Sequence, residues 1–146
     1  MFKKLSDRLK ALMEATTLFA NVYDFEASDL AGTPVCTITP SGNVSNYDTT
    51  TENRRRYAFM VRLYVERKSG NDNEKESEEA MKELCDAVVD TLDANHQLPG
   101  LVSQTGYTFL FMRASPSRWG YAGRENNYRV AEIEMLIDFH IDVNEV

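Results

Sequence analysis

The chain has 146 residues and a formal net charge of -7, and its hydrophobic (42%) and charged (27%) fractions are ordinary for a globular protein. This length predicts a single domain over residues 1–146, with a core that forms without metals or disulfides. The acidic balance argues against a general nucleic-acid binder, which needs a basic surface, and no apolar run reaches the ~20 residues of a membrane span.

The first half of the chain predicts one helix and two short strands. Apolar residues recur at helical spacing from Phe2 to Thr16 and indicate an amphipathic helix. Short apolar runs predict strands at 20–26 and 34–40, the second flanked by prolines. Residues 41–53 are polar and rich in turn formers, which predicts an exposed loop.

A long strand is predicted from about Arg55. Its residues alternate between an apolar face and a mixed face. The apolar face contains Tyr57, Phe59, Val61, Leu63 and Val65, and the mixed face contains Ala58, Met60, Arg62, Tyr64 and Glu66.

The second half predicts a helix followed by two strands. The helix is expected to begin with Asn73 as its cap and to end near Asn95. Strands are predicted at 107–113 and 128–143, with an exposed loop at 115–127 between them. The two cysteines, one before and one within this helix, are predicted to be reduced structural thiols, with a single disulfide as the alternative.

The last strand separates two chemically different faces. Its apolar face predicts contact with the core, and its other face is strongly acidic. The apolar face contains Ala131, Ile133, Met135, Ile137, Phe139 and Ile141, and the acidic face contains Glu132, Glu134, Leu136, Asp138, His140 and Asp142.

The element order α-β-β-β-α-β-β predicts an α+β fold. We expect a mostly antiparallel sheet of about four to five strands with both helices packed on one face. The other face of the sheet is then solvated, lines a passage or meets a neighbour.

The motifs of the common enzyme classes are absent from the sequence. There is no G-x-S-x-G, no P-loop and no G-x-G-x-x-G, and no carboxylate pair lies in an apolar segment that would raise its pKa. Asp138, His140 and Asp142 share a strand face but lie ~7 Å apart per step, too far to bind one ion together. We therefore expect no catalysis, no metal and no cofactor.

Three consecutive arginines, Arg54, Arg55 and Arg56, precede the long strand. Strand alternation prevents all three from facing one groove, so a shared grip on DNA phosphate is disfavoured. We expect them to pair with acids such as Glu52, with a neighbouring strand or with another subunit, and Arg62 is assigned to the same interface.

The segment SPSRWGYAGRENNY contains residue types that are enriched at protein interfaces. Stacking of nucleic-acid bases is the alternative, and the acidic balance disfavours it. The residues predicted to contact a partner are Arg118, Trp119, Tyr121 and Arg124.

Four predicted segments are the N-terminal helix, the strand RRRYAFMVRLYVER, the helix segment EKESEEAMKELCDAVVDTLDANHQLPG and the terminal strand YRVAEIEMLIDFHIDV. Together they resemble the tail terminator (tail completion, minor tail or head–tail joining) proteins of long-tailed bacteriophages. The resemblance covers nearly the whole chain. It implies a hexameric ring that caps the tail tube and joins it to the head connector. DNA then passes through the ring as a non-specific contact.

With the ring taken from this resemblance, the acidic residues Glu132, Glu134, Asp138 and Asp142 are expected to face the channel or a neighbouring subunit. The expected partners are further copies of the chain, the tail tube protein and the connector, with no membrane. The expected location is the tail or neck of the virion, after assembly in the host cytoplasm. The alternatives are another neck, head-closure or tube component and, in a different class, a small α/β ligand-binding or regulatory domain.

Overall fold

The computed structural model shows an α+β fold with one five-stranded sheet and two helices on one of its faces. The predicted element order is confirmed. The structure describes residues 1–30, 32–47, 49–67 and 70–146, apart from the side chain at position 101. The elements are α1 (Phe2–Ala15), β1 (Asn21–Tyr23), β2 (Val35–Tyr47), β3 (Glu52–Glu66), α2 (Asn71–Ala94), β4 (Tyr107–Ala122) and β5 (Tyr128–Asp142), with short 3-10 turns at Leu98–Leu101 and Arg124–Asn126.

The strands lie in the order β1-β2-β3-β5-β4. β1 runs parallel to β2, and every other neighbouring pair is antiparallel. Helix α1 packs against β1 and β2, whereas α2 packs against β3, β5 and β4. Each helix therefore covers a different half of the same sheet face. None of the described helices is long and apolar enough to cross a membrane.

The core lies between the helices and the sheet. The predicted apolar faces of β3 and β5 both point into it, and Phe59, Val61, Ile133 and Ile137 are fully buried. The ring of Phe139 packs edge-on against three other aromatic rings, and burial of each such side chain stabilises the fold by about 1.5–3 kcal/mol. The helices contribute Leu5, Leu9, Met13, Met81, Leu84, Val88 and Leu92.

Both cysteines are free and buried, as predicted. Cys36 lies on β2 and Cys85 on α2, and both belong to the main core. Burial raises the pKa of the Cys36 thiol to about 12 and also raises that of Cys85. Both thiols are therefore protonated at neutral pH.

The two predicted loops are largely strand. β2 continues to Tyr47 and β3 begins at Glu52, so most of 41–53 belongs to a hairpin, and β4 likewise continues through most of 115–127 to Ala122. Most side chains of these strand extensions are exposed, including Trp119 and Tyr121, which lie beside α2 without being buried by it. Their sequences therefore lack the apolar alternation of a half-buried strand, and backbone pairing with the adjacent strand defines them instead.

The predicted start of the second helix is also wrong. α2 begins at Asn71, and its cap position is Gly70 rather than Asn73. Gly70 has a φ of 99°, a backbone conformation that residues other than glycine rarely adopt. A glycine at the point where the chain enters the helix thus sets the boundary.

Candidate interface surfaces

The side of the sheet away from the helices, called the open face here, contains two of the three consecutive arginines. Arg54 and Arg56 pair in register with open-face residues of β5, and Arg55 points to the helix side. There Arg55 donates to the hydroxyls of Tyr57 (3.3 Å) and Tyr107 (3.2 Å). The prediction that alternation separates the triplet is confirmed.

On the open face, Arg54 and Arg56 share one buried carboxylate. Arg56 donates to both oxygens of Asp138, at 2.9 and 3.2 Å, and this bonding raises the pKa of Arg56. The Arg54 Nε lies 3.7 Å from Asp138, and its guanidinium lies 6.0 Å from the centre of the Phe111 ring. The Asp138 side chain is 3% exposed, but those of Arg54 and Arg56 are 50% and 40% exposed. The two arginines thus exceed the one buried carboxylate by one positive charge, and the nearby Glu134 also helps to raise the pKa of Arg56.

Because Arg56 makes both short bonds to the buried carboxylate, we expect Arg56→Gln to lower the free energy of unfolding by about 1–3 kcal/mol. Arg54→Gln is the matched control, since it removes the same charge from a longer and more exposed pair worth ~1 kcal/mol or less. Urea unfolding of the two variants measures the difference. Equal losses would contradict the assignment of Asp138 to Arg56.

The acids of β5 do not make the open face strongly acidic, because the register places arginines beside them. Glu132 pairs in register with Arg62 on one side and Arg118 on the other, and the Arg62 Nε lies 3.8 Å from its carboxylate. Asp138 is buried, so it does not face a channel as an exposed acid. Glu134 and Asp142 keep partial exposure on this face.

One end of the open face is covered by the connection between β1 and β2. Glu26, in this connection, accepts hydrogen bonds from Thr37 (2.8 Å), Arg62 (2.9 Å) and Tyr64 (3.2 Å). Burial, together with the charge of Glu26, raises the pKa of Tyr64 to about 12. Arg62 is therefore held within the chain by two acids, one on each side.

The structure does not bring the predicted arginine and aromatic cluster together. Arg118 lies on the open face, opposite Glu132, and Arg124 is exposed in the turn between β4 and β5. Trp119 and Tyr121 lie on the helix side, each 51% exposed. Trp119 and Tyr121 line a small depression beside the N-terminal half of α2.

A buried arginine that the sequence-based prediction missed anchors α2 to the sheet. Arg129 is 7% exposed, and it donates to Ser77 Oγ at 2.7 Å, to the Glu78 carboxylate at 2.6 Å, and to the backbone oxygen and the carboxylate of Glu74. The Tyr121 ring lies 5.4 Å from its guanidinium. The signal was present in the sequence, because position 129 continues the odd-numbered, core-facing series of β5.

The outer surface of α2 has a continuous row of acids. The helix contains nine acidic and two basic residues, a net charge of -7, so the rest of the chain has fourteen of each and is neutral. Seven of the acids are exposed and follow one another at alternating spacings of four and three residues, which places them on one side of the helix, opposite its buried stripe. This acidic stripe consists of Asp72, Glu76, Glu79, Glu83, Asp86, Asp90 and Asp93.

The other helix has the opposite charge. α1 contains four basic and two acidic residues, a net charge of +2. α1 lies over β1 and β2 and α2 lies over the β4 side, so the net basic helix and the net acidic helix cover different halves of the sheet. Two of the basic residues of α1, Lys4 and Arg8, face the segment after α2, where Lys4 donates to the Ser103 backbone oxygen at 3.2 Å.

The described residues contain no group of three or more His, Cys, Asp or Glu side chains placed to bind a metal. His140 lies 4.0 Å from Glu52 rather than in a cluster with Asp138 and Asp142. A surface depression of about 780 Å³ lies between α1, the segment after α2 and the C-terminus, and is lined by residues that include Lys4, Tyr107 and Glu145. This depression is open to solvent and mixes apolar and polar groups.

The likeness of this chain to known proteins is weak. No protein-family model matches the chain, and no curated protein matches it. Among solved structures, the fold is similar to a chain in the structure titled "Virion of native gene transfer agent (GTA) particle", with 14% identity, a TM-score of 0.48, and coverage of 90% of this chain and 84% of that chain. At this identity and TM-score the likeness carries no argument about function.

Proposed function

We propose that the protein is a structural virion assembly protein, a ring-forming tail terminator. In this proposal the ring, a hexamer, caps the tail tube and joins it to the head connector, and DNA passes through its centre. The protein has no catalytic role in the proposal and needs no cofactor. The proposal begins from the sequence resemblance described above, and the lateral asymmetry of the molecule is the structural observation that supports it.

A closed ring requires a head-to-tail interface, in which one surface of a subunit meets a different surface of the next. The two lateral sides of this chain differ in the required way. One half of the helix layer has α1, with a net charge of +2, and the other has α2, with a net charge of -7 and its acidic stripe on the outer surface. Complementary charges favour contact between unlike sides and disfavour contact between like sides.

The two hairpin connections lie at opposite ends of the sheet. The β2–β3 connection is near the end of β5, where the Val143 amide donates to the Thr51 oxygen at 2.8 Å. The β4–β5 turn is near the end of β3, where the Arg67 amide donates to the Asn127 oxygen at 2.8 Å. A ring that joins two different partners needs contact surfaces at both of its rims, and these two ends can supply them.

We assign the open face to the channel wall. Arg56 and Arg62 on this face are paired with acids within the chain, whereas Arg54, Arg113 and Arg118 are exposed. The face therefore mixes both signs of charge and offers DNA neither a uniformly basic surface nor a strongly repulsive one. Of the four acids predicted to face the channel or a neighbour, Glu134 and Asp142 are partly exposed on this face and best placed to face DNA.

Mass in solution tests the proposal, measured for the protein alone and then with tail tubes of the phage or phage-derived particle whose genome carries the gene. We expect a ring, most simply six subunits, either free or formed on tube ends, and we expect capped tubes to stop growing. A stable monomer that leaves tube length unchanged would overturn the proposal. Specific binding of a metabolite in the depression near Lys4 would instead favour the ligand-binding alternative.

A further inference from the structure

Both edges of the sheet leave backbone unpaired within the described chain. β4 pairs only with β5 along its full length, and β2 beyond Thr37 pairs only with β3. Exposed edges of this length are ready to pair with another strand, and proteins usually protect them with proline or bulges. On β4 such protection is present at Pro116, where a bulge also occurs. The stretch 107–113 contains no proline, but it has a register shift between Phe109 and Phe111, and its Tyr107 amide donates to the Gln104 oxygen at 3.0 Å. On β2 a register shift with Pro40 precedes the stretch 42–47, which pairs regularly with β3.

We infer that residues 41–47 of β2 in one copy pair antiparallel with residues 107–113 of β4 in the next copy, so that one sheet continues from subunit to subunit. The inference rests on the proposed ring for its closure. Its occupant is a second copy of this chain.

Strand direction favours this pairing. β2 is antiparallel to β3, β3 to β5 and β5 to β4, so β2 and β4 run in opposite directions within one subunit. If two copies stand side by side with their helices on the same side, β4 of one and β2 of the other are therefore antiparallel. No rotation of one copy relative to its neighbour is required beyond the curvature of the ring.

The stretches 41–47 and 107–113 also lie at the same height, meaning the same position along the strand direction. Asn46 is level with Thr108 across the sheet, through the register of β2, β3, β5 and β4, and Val44 is level with Phe111 by the same route. Exposed apolar side chains occur on both edges at this height. Val44 is 64% and Tyr47 61% exposed on β2, and Leu110 is 43% exposed on β4.

Charge argues against the alternative of pairing like edges. Two β4 edges that met about a two-fold axis would bring the two α2 helices, each with a net charge of -7, to the same side of the joint. Pairing β4 with β2 brings α2 beside the basic α1 instead. Repulsion in one arrangement and attraction in the other select the head-to-tail contact.

Disulfide trapping tests the inference with the full-length chain. Asn46→Cys with Thr108→Cys places two exposed thiols on the open face at the same height, and neighbouring strands about 5 Å apart allow a disulfide. Val44→Cys with Thr108→Cys tests a register shifted by two residues. Asn46→Cys with Ser115→Cys is the matched control, since Ser115 is also exposed on the open face but lies roughly 23 Å further along β4. The native thiols, Cys36 and Cys85, are buried.

Under mild oxidation we expect one of the first two pairs to give a ladder of covalent multimers, ~100-fold faster than the control pair. Each single-cysteine variant is expected to stay monomeric on a non-reducing gel. Single variants that form dimers as fast as the double variants would overturn the inference in favour of a two-fold contact. A ring by mass that neither pair cross-links would overturn it and leave the proposed function standing. If the protein forms a ladder of covalent multimers but does not bind tail tubes, the strand pairing is supported and the proposed tail function is overturned. If the protein forms neither a ring nor a ladder in the presence of tubes, both are overturned.

Discussion

Replacing Arg129 by leucine is expected to lower the free energy of unfolding by about 3 kcal/mol, and to lower the melting temperature by roughly 10 °C in a chain of this size. The substitution removes the buried guanidinium that binds Ser77, Glu74 and Glu78. It leaves two carboxylates and a hydroxyl without that partner at the contact between α2 and β5. This loss of free energy of unfolding is near the low end for breaking a buried ion pair, because the Glu74 and Glu78 side chains are 28% and 39% exposed and become hydrated when Arg129 is removed.

Thermal and urea unfolding of three variants measure this effect. Arg129→Lys keeps the charge but provides fewer donors, so we expect an intermediate loss. Arg124→Leu removes an exposed arginine five positions away, and its effect is expected to stay within about 0.5 kcal/mol. If Arg129→Leu were neutral or stabilising, the network would not anchor α2, and its desolvation cost would equal or exceed its gain.

The second large effect is expected from the acidic stripe. The triple substitution Glu79→Lys, Asp86→Lys and Asp93→Lys changes the charge of α2 from -7 to -1 and places opposite charges at five of the six successive steps along the stripe. Like charges three or four residues apart destabilise a helix by ~0.2–0.5 kcal/mol per pair, and opposite charges stabilise it by similar amounts. The same lysines also turn three favourable pairs with Lys75 and Lys82 into like-charge pairs, among them Lys75–Glu79 at 3.9 Å. The net change is about two pairs, so we expect the variant to be more stable by about 1 kcal/mol and yet to assemble poorly at low salt.

A neutral variant and a salt series provide the controls. Glu79→Gln with Asp86→Asn and Asp93→Asn removes the same three negative charges without reversing them, so both effects should be about half as large. Above roughly 0.5 M salt, screening should reduce the differences in assembly among the three proteins. Normal assembly of the lysine variant at low salt would contradict a role for the stripe between subunits. A loss of stability would show instead that the acids are paired favourably within the monomer.

The fold class was predictable because its signals are local. Apolar alternation in β3 and β5 and the helical spacing in α1 and α2 result from burial, and burial determines which residue types a position accepts. The strand extensions at 41–47 and 115–122 were missed for the same reason. Their side chains are exposed, so nothing in their residue types records the pairing of their backbones.

The interface surfaces were only partly predictable. Alternation alone separated Arg55 from Arg54 and Arg56, and the structure confirms this. The partner of Arg56 was not predictable, since Asp138 lies 82 positions away and meets it only through the register of β3 with β5. The same register brings Arg62 and Arg118 beside Glu132, which is why the open face is mixed rather than acidic.

The type and order of the elements, most core-facing residues and the total charge followed from the sequence, because each is a property of single positions or of local periodicity. Only the tertiary structure decided where that charge lies and which groups neutralise each other. Strand order placed the two helices over opposite halves of the sheet, and register paired the open-face acids with arginines, which left the acidic stripe of α2 as the main uncompensated charge. Coulomb interactions depend on distances in space, and pairing between distant strands fixes those distances.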